Sequence, residues 1–281
     1  MDTLVSTQWL AEALGAPDLV VVDATKHLPG AGRDERAEYL AGHIPGARFL
    51  DIGSLVDATS PVPSALPRPD QLAERLASLG VSPSTRVVFY DDSAVKTAAR
   101  AWYLAHVHGM QQVAVLDGGL AKWKAEERAL ESGEPAIAPA PPFELQPPAC
   151  IRFKSDMLGN VESGAEQVVD ARDGGRFSGE TVDTIHNLPT GHIPGSRNLP
   201  FTQLYNADGT FRSRDQLREL FDAAGIDPAR PVTATCGSGV TACVLLLAIH
   251  LLGHSETALY DGSWSDWGSD PATPKATGAA Q

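Results

Sequence analysis

Short runs of β-branched and apolar residues alternate with longer helical patterns along this chain. In the second half the predicted strands are residues 167–170 (QVVD), 197–199 (RNL), 232–235 (VTAT) and 257–260 (TALY). Residues 215–224 and 241–252 carry apolar side chains at helical spacing, so we predict helices there. Strands that alternate with helices favour a mostly parallel sheet flanked by helices. The predicted fold class is therefore α/β.

The two halves of the chain repeat the same landmarks in the same order. Residues 42–47 (GHIPGA) return as residues 191–196 (GHIPGS), and the sequence VVDA at residues 21–24 returns at residues 168–171. A proline-rich segment between the halves indicates a stiff, extended linker. A repeat of this length indicates two domains of one topology. The predicted organisation is a first domain at residues 1–135, a linker at 136–150 and a second domain at 151–281.

Composition and charge describe a soluble globular protein. The chain has 281 residues, 43% of them apolar, and 22 Lys+Arg against 35 Asp+Glu give a formal net charge of −13. Three cysteines cannot make a disulfide framework, and the amino terminus lacks the pattern of a signal peptide, so we expect a reducing, cytoplasmic location. The apolar residues 244–252 are too few to span a membrane and predict a buried helix. The negative charge argues against nucleic acid or membrane partners.

One cysteine lies where a predicted strand passes into a predicted helix. Ligands of parallel α/β sheets bind at this carboxyl end of the strands. Converging N–H groups and a helix amino terminus both stabilise a thiolate, so Cys236 is predicted to be a catalytic nucleophile. The predicted active-site loop comprises Gly237, Ser238, Gly239, Val240 and Thr241. For Cys150 and Cys243 we expect the ordinary role of a small buried hydrophobe.

The first half of the chain has no cysteine at the matching position. Counting from the predicted strand places Asp91 opposite Cys236, whereas counting from the predicted helix places Asp92 there. A carboxylate at that position cannot act as the sulfur nucleophile. The first domain is therefore predicted to be catalytically silent.

The chain resembles the two-domain rhodanese-type sulfurtransferases. The resemblance rests on the two tandem copies, the paired GHIPG sequences, the single loop cysteine and residues 262–267 (GSWSDW). The loop sequence CGSGVT looks like that of 3-mercaptopyruvate sulfurtransferases, whereas thiosulfate-preferring rhodaneses usually carry basic residues directly after the cysteine. The resemblance implies two tandem rhodanese-like domains.

The resemblance also implies a ping-pong reaction without a metal or organic cofactor. The thiolate of Cys236 would take sulfur from a small anionic donor, 3-mercaptopyruvate or thiosulfate, and hold it as a persulfide. A thiol or cyanide would then accept the sulfur, and a thioredoxin-like dithiol protein is one candidate partner.

Further residues receive expected roles from the same resemblance. A substrate-binding role falls on Arg176, whose planar guanidinium suits a bidentate contact with an anion. Asp170 and Arg172 are expected to fix the loop geometry through a local ion pair. His43 and His192 occur in both copies, so we interpret them as residues that stabilise turns.

The chain departs from the mercaptopyruvate-type pattern at three positions. Ile185 stands where an ungapped alignment expects a second arginine, and Gly53 and Ser64 stand where it expects an aspartate and a histidine beside the loop serine. Either His186 or Arg100 compensates as an auxiliary residue, or the natural donor is not mercaptopyruvate. A thiosulfate-preferring rhodanese is therefore the main alternative.

Two other functions also use a cysteine in such a loop. Dual-specificity phosphatases of the rhodanese-like fold need an arginine six residues after the cysteine, and Ala242 occupies that position here, which argues against a phosphatase. A non-enzymatic persulfide carrier needs the same loop as the enzyme. It stays open as a less favoured alternative, which a turnover assay would separate from the enzyme.

Overall fold

The first half of the chain folds around a five-stranded parallel sheet. In the computed structural model, which describes residues 1–279, its strands are β1 (Leu4–Val5), β2 (Leu19–Asp23), β3 (Arg48–Phe49), β4 (Arg86–Tyr90) and β5 (Val113–Leu116). The strand order is β1-β5-β4-β2-β3 and every pair is parallel. The helices are α1 (Thr7–Ala13), α2 (Glu35–Ala41), α3 (Pro69–Ser78), α4 (Thr97–Val107) and α5 (Gly119–Ala125).

The second half repeats this architecture. Its strands are β6 (Ile151–Arg152), β7 (Gln167–Asp170), β8 (Arg197–Asn198), β9 (Val232–Thr235) and β10 (Thr257–Tyr260). They form a parallel sheet in the order β6-β10-β9-β7-β8. The helices are α6 (Lys154–Ser163), α7 (Gly174–Ser178), α8 (Arg214–Ala223), α9 (Ala242–Leu251) and α10 (Ser263–Trp267), and a 3₁₀ helix spans Phe201–Leu204.

The described chain divides into two compact units. The first unit comprises Met1–Val56, Leu66–Pro148 and Ala207–Phe211. The second comprises Asp57–Ala65, Ala149–Asn206 and the described residues from Arg212 onward. Residues 132–150, which include the proline-rich segment, contain neither helix nor strand.

The predicted α/β fold class is confirmed, and three of the four predicted strands have the predicted bounds. The strand at residues 197–199 is shorter, because only Arg197 and Asn198 pair with β7. The predicted helices at residues 215–224 and 241–252 appear as α8 and α9. Helix α9 is buried over almost its whole length, as its apolar sequence predicted. Within residues 1–279, none of the helices has the length and apolar character needed to cross a membrane.

The two GHIPG histidines are structural residues, in agreement with the sequence interpretation. The Nδ1 atom of His43 lies 2.8 Å from the carbonyl oxygen of Tyr39, and its ring stacks on the Tyr39 ring. In the second unit, Nδ1 of His192 lies 2.9 Å from the carbonyl oxygen of Phe177, and the two rings stack. Both imidazoles are buried, so each joins its GHIPG sequence to the preceding helix of the same unit.

The structure decides which aspartate corresponds to Cys236. Ala24 N–H donates to the carbonyl of Tyr90 at the end of β4, as Ala171 N–H does to Thr235 at the end of β9. The next residues, Asp91 and Cys236, are therefore equivalent, and the count from the strand is the correct one. The Asp91 carboxylate accepts the N–H of Ala98 at 2.6 Å in the first turn of α4, so it fills the anion site of this loop.

We expect Asp91 to give the first unit a distinctive dependence of stability on pH. Burial raises the pKa of Asp91 to about 6, although the N–H of Ala98 opposes it. The folded state therefore binds a proton as the pH falls through about 6, while the unfolded carboxyl stays charged until about 4. As the pH is lowered from roughly 8 to about 5.5, the free energy of unfolding of wild type, measured in urea, should rise by about 1 kcal/mol relative to that of Asp91→Asn.

The control is Asp18→Asn. Hydrogen bonds from Arg86 hold the pKa of Asp18 below its usual value, so its contribution to stability is lost as the pH falls, which is the opposite direction. An Asp91→Asn variant whose stability follows wild type at every pH would contradict the assignment.

Candidate active site

Cys236 directly follows β9, and hydrogen bonds fix its backbone on both sides. Its N–H donates to Oγ of Ser263 at 3.1 Å, and its carbonyl accepts the N–H of Trp264 at 3.0 Å. The Ser263 hydroxyl in turn donates to the carbonyl of Tyr260 at 2.8 Å. Only 2% of Cys236 is exposed. The first turn of α10 therefore holds the cysteine at the carboxyl end of the sheet.

The loop after Cys236 leads into the buried helix α9. The carbonyl of Gly237 accepts both the N–H and the hydroxyl of Ser265, each at 2.8 Å. Gly239 has φ of +75°, a left-handed conformation that favours glycine. Within residues 1–279, the N–H groups of Gly237, Ser238 and Val240 donate to no protein acceptor. Such N–H groups at a helix amino terminus can bind an anion, as the sequence predicted.

Arg176 lies on the short helix α7 rather than in a loop, and two carboxylates hold its guanidinium. Nε of Arg176 pairs with Oδ2 of Asp173, and Nη1 lies 3.7 Å from Oδ1 of Asp183. Asp173 also caps α7 by accepting the N–H of Arg176 at 2.9 Å. The side chain is mostly buried, so its orientation is set by the fold.

His186 lies against the active-site loop. A Cβ atom placed on Gly237 would be 2.1 Å from Cε1 and 2.6 Å from Nε2 of His186, so the imidazole fills the space that any larger residue at 237 would need. The other ring nitrogen, Nδ1, lies 3.1 Å from Oδ2 of Asp183. The two loop glycines thus serve different purposes, since Gly239 provides a left-handed turn and Gly237 provides room for His186.

A second arginine lies buried near the cysteine. Arg172 pairs with Asp170 at 2.7 Å, as expected from the sequence, and its guanidinium lies 4.5 Å above the ring of Trp264. Burial alone would lower the pKa of Arg172, but the carboxylate of Asp170 outweighs it, and the negative charges of Cys236 and Asp183 raise the pKa further. Arg172 is therefore a fixed cation whose field reaches the cysteine.

Four other residues that the sequence singled out are divided between the two units. Arg100 is buried on α4 and Gly53 lies beside Lys26, both in the first unit. Ser64 belongs to the second unit and adopts a left-handed conformation, with φ of 59°. Ile185 is 42% exposed.

The other two cysteines follow the sequence interpretation in part. Cys243 is buried in α9, and its thiol donates to the carbonyl of Gly239 at 3.2 Å. Cys150 is only half-buried, which corrects the expectation of a buried hydrophobe, because it lies just before the edge strand β6.

Sequence reasoning missed Asp183 and Ser263. Asp183 is fully buried and accepts the N–H groups of Ile185 and His186, each at 3.0 Å. An aspartate side chain that accepts the N–H groups of the second and third residues after it forms a common type of turn. The spacing of Asp183 before His186 was therefore the sequence signal that could have indicated this turn. Ser263 stands inside the GSWSDW sequence, which served only as a mark of resemblance. Among the described residues, no cluster of His, Cys, Asp or Glu could hold a metal ion.

Comparison with known proteins identifies both units. Residues 6–126 and 154–270 each match the model of the rhodanese-like domain. The 3-mercaptopyruvate sulfurtransferase of Mus musculus is 42% identical over 270 residues, which cover 94% of this chain and 91% of that protein. The enzyme of the same name from Escherichia coli K12 is 38% identical over 273 residues, 96% of each chain. Thiosulfate sulfurtransferase of Bos taurus is 39% identical over 271 residues, 94% of this chain and 91% of that one.

A solved structure agrees with these relatives. The crystal structure of SseA from Escherichia coli, a 3-mercaptopyruvate sulfotransferase by its description, superposes with a TM-score of 0.85 at 37% identity. The match covers 94% of this chain and 99% of that one. Sulfur transfer, the predicted activity, is thereby confirmed. The chain belongs to the rhodanese family of sulfurtransferases and carries two rhodanese-like domains in tandem.

Proposed function

We propose that this sulfurtransferase takes sulfur from 3-mercaptopyruvate, holds it as a persulfide on Cys236 and passes it to a thiol or cyanide. The observation that carries the proposal is the loop at the carboxyl end of β9. There a buried cysteine precedes backbone N–H groups that donate to no protein acceptor within residues 1–279. Thiolate and persulfide are both anions, so the same N–H groups stabilise Cys236 before and after it receives the sulfur.

The charge around the loop supports a singly charged donor. Overall sequence identity does not show which donor this chain uses, because relatives named for mercaptopyruvate and for thiosulfate are all 38% to 42% identical to it. In the second unit, Arg172 pairs with Asp170, and Arg176 lies between Asp173 and Asp183. These groups leave no excess positive charge for the dianion thiosulfate, whereas the single carboxylate of mercaptopyruvate costs less to bind.

The loop itself carries no cation after the cysteine. Gly237 cannot hold a basic side chain while the imidazole of His186 occupies that space. We therefore place mercaptopyruvate ahead of thiosulfate, and a thiosulfate-preferring rhodanese is the alternative. Arg176 is the residue we assign to the donor carboxylate, since its guanidinium is oriented by two carboxylates, and one of them, Asp183, also holds the imidazole of His186 beside the loop.

Three further expectations belong to the proposal. The first unit is catalytically silent, because Asp91 replaces the nucleophile and fills its own loop. A small thiol or a thioredoxin-like dithiol protein is the physiological acceptor. A reducing, cytoplasmic location fits the three cysteines, which are all free thiols.

Cys236→Ser should abolish turnover with both mercaptopyruvate and thiosulfate when cyanide is the acceptor. A hydroxyl is a far weaker nucleophile at neutral pH and cannot form a stable persulfide. The stability of the variant should stay close to wild type, because serine has nearly the same size. Cys150→Ser is the matched control and should keep full turnover. Residual multiple turnover by Cys236→Ser would overturn the mechanism, and a single turnover by wild type would indicate a carrier instead.

Ser263→Ala should destabilise the loop and slow sulfur transfer. The variant leaves the buried N–H of Cys236 without an acceptor, which costs about 1–3 kcal/mol of unfolding free energy. Ser265→Ala is the control, because the carbonyl of Gly237 keeps its bond from the Ser265 N–H, and its cost should be about 1 kcal/mol or less. Urea unfolding of both variants measures the difference. Equal stability of the two would contradict the role given to Ser263.

Arg176→Ala should mainly raise the KM for mercaptopyruvate. Loss of a hydrogen bond to a charged group costs about 1.5–3 kcal/mol, which corresponds to a KM that is roughly 10- to 150-fold higher. Arg176→Lys should lie between wild type and Arg176→Ala, because it keeps the charge and loses the planar fork. Arg218→Ala removes an exposed arginine of the same unit and should change nothing. An unchanged KM for Arg176→Ala would refute its assignment.

A further inference from the structure

A histidine and an aspartate form an oriented pair beside the active-site loop. Besides two backbone N–H groups, the buried carboxylate of Asp183 faces Nδ1 of His186 at 3.1 Å. Burial raises the pKa of Asp183, but the N–H of His186 and the imidazole itself outweigh it, so the pKa lies below its usual value. Asp183 is therefore a charged, fixed acceptor.

This pairing determines which nitrogen of the imidazole is available for chemistry. A carboxylate only accepts, so Nδ1 of His186 carries the hydrogen that points at Asp183. The neutral ring then has its lone pair on Nε2. Nε2 lies 2.6 Å from the position of a Cβ on Gly237, the residue directly after the nucleophile. A proton acceptor thus lies beside the peptide that follows Cys236.

One tryptophan ties the segment of His186 to the active-site loop. The indole N–H of Trp264 donates to the carbonyl of Pro189 at 2.8 Å, and its backbone N–H donates to the carbonyl of Cys236 at 3.0 Å. An antiparallel bridge between Asp183 and Leu188 closes the turn that carries His186. The position of the imidazole relative to the cysteine is therefore set by the fold of the second unit.

We propose that Nε2 of His186 carries the proton that mercaptopyruvate must transfer, from the sulfur of the donor to the carbon that this sulfur leaves. The inference rests on the proposed function and deepens it. Asp183 acts as the positioning residue. The Asp183 carboxylate faces the imidazole, the Arg176 guanidinium lies 3.7 Å from the same carboxylate, and the charge of Arg172 also acts on Asp183.

The step balances without any further reactant. The Cys236 thiolate attacks the sulfur of the donor, a sulfur–sulfur bond forms and the carbon–sulfur bond breaks, with its electron pair passing to the carbon. The donor sulfur gives its proton to Nε2 of His186, which leaves a persulfide anion at the loop. The imidazolium then gives the same proton to the enolate carbon, and pyruvate is released. The carbon is reduced and the two sulfurs share the corresponding oxidation.

Thiosulfate makes no such demand. When the thiolate takes the outer sulfur of thiosulfate, the bond pair leaves with sulfite, and no proton has to move. A proton carrier therefore speeds sulfur transfer from mercaptopyruvate and has no effect on sulfur transfer from thiosulfate. With cyanide as the acceptor in both assays, the second half of the reaction is the same and releases thiocyanate without a proton.

The experiment compares His186→Gln with wild type on both donors. We expect kcat with mercaptopyruvate to fall on the order of 100- to 10,000-fold, while turnover with thiosulfate stays near that of wild type and reports that the variant is folded. Added imidazole should partly restore the mercaptopyruvate reaction of His186→Ala, because it replaces the missing base. His254→Gln, a half-buried histidine of the same unit, is the matched control and should resemble wild type.

The outcomes separate this inference from the proposed function. Equal losses on both donors, or no loss on mercaptopyruvate, would each overturn the role of His186. In both cases a persulfide on Cys236 would still form, and sulfur transfer from mercaptopyruvate through that residue would stand. A wild-type protein that uses thiosulfate alone, or that forms no persulfide from either donor, would instead refute the proposed function itself, and this inference with it.

Discussion

The active site depends on one junction, where strand β9 ends and the buried helix α9 begins. The backbone of Cys236 is held there by the first turn of α10, in which Ser263 accepts its N–H and Trp264 donates to its carbonyl. These bonds engage the peptide groups of the cysteine itself, whereas the N–H groups of Gly237, Ser238 and Val240 donate to no protein acceptor in the part of the chain that the structure describes. The apolar length of α9 buries this helix in the domain, so its amino terminus keeps a fixed position and direction.

The first unit has the same topology without the cysteine, so it shows which interactions this junction forms by itself. In the first unit Leu120 N–H donates to the carbonyl of Asp91, as Trp264 N–H does to Cys236. The carboxylate of Asp91 turns inward to the N–H of Ala98 and occupies the loop itself. The two units therefore share the fold and this backbone hydrogen bond, and they differ in the side chain that follows the strand.

Much of the fold could be predicted from the sequence, and so could the position of Cys236 directly after a strand. The strands β7, β9 and β10 are short runs with β-branched residues bounded by turns, and α9 is an apolar run of helical length, so local pattern was sufficient. The edge strand β6 was not predicted, because only Ile151 and Arg152 pair with β10 and two residues show no hydrophobic periodicity. The pairing of Arg172 with Asp170 followed from the resemblance and needed only two neighbouring residues.

The relation between His186, Asp183 and Gly237 could not be predicted, since it joins two segments that are distant in sequence and have no periodic pattern. The structure shows that the glycine after the cysteine leaves the space that an imidazole occupies. The same contact explains why the loop has no basic residue at that position. The departure at Ile185 and the presence of His186 thus belong to one local arrangement.

The central claim is that Cys236 alone carries the sulfur in transit. The most direct measurement is mass spectrometry of the protein after treatment with 3-mercaptopyruvate in the absence of an acceptor, with separate peptides for Cys150, Cys236 and Cys243. The account predicts the added mass of one sulfur atom on the Cys236 peptide and its loss when cyanide is added. Sulfur on another cysteine, or on none, would contradict it.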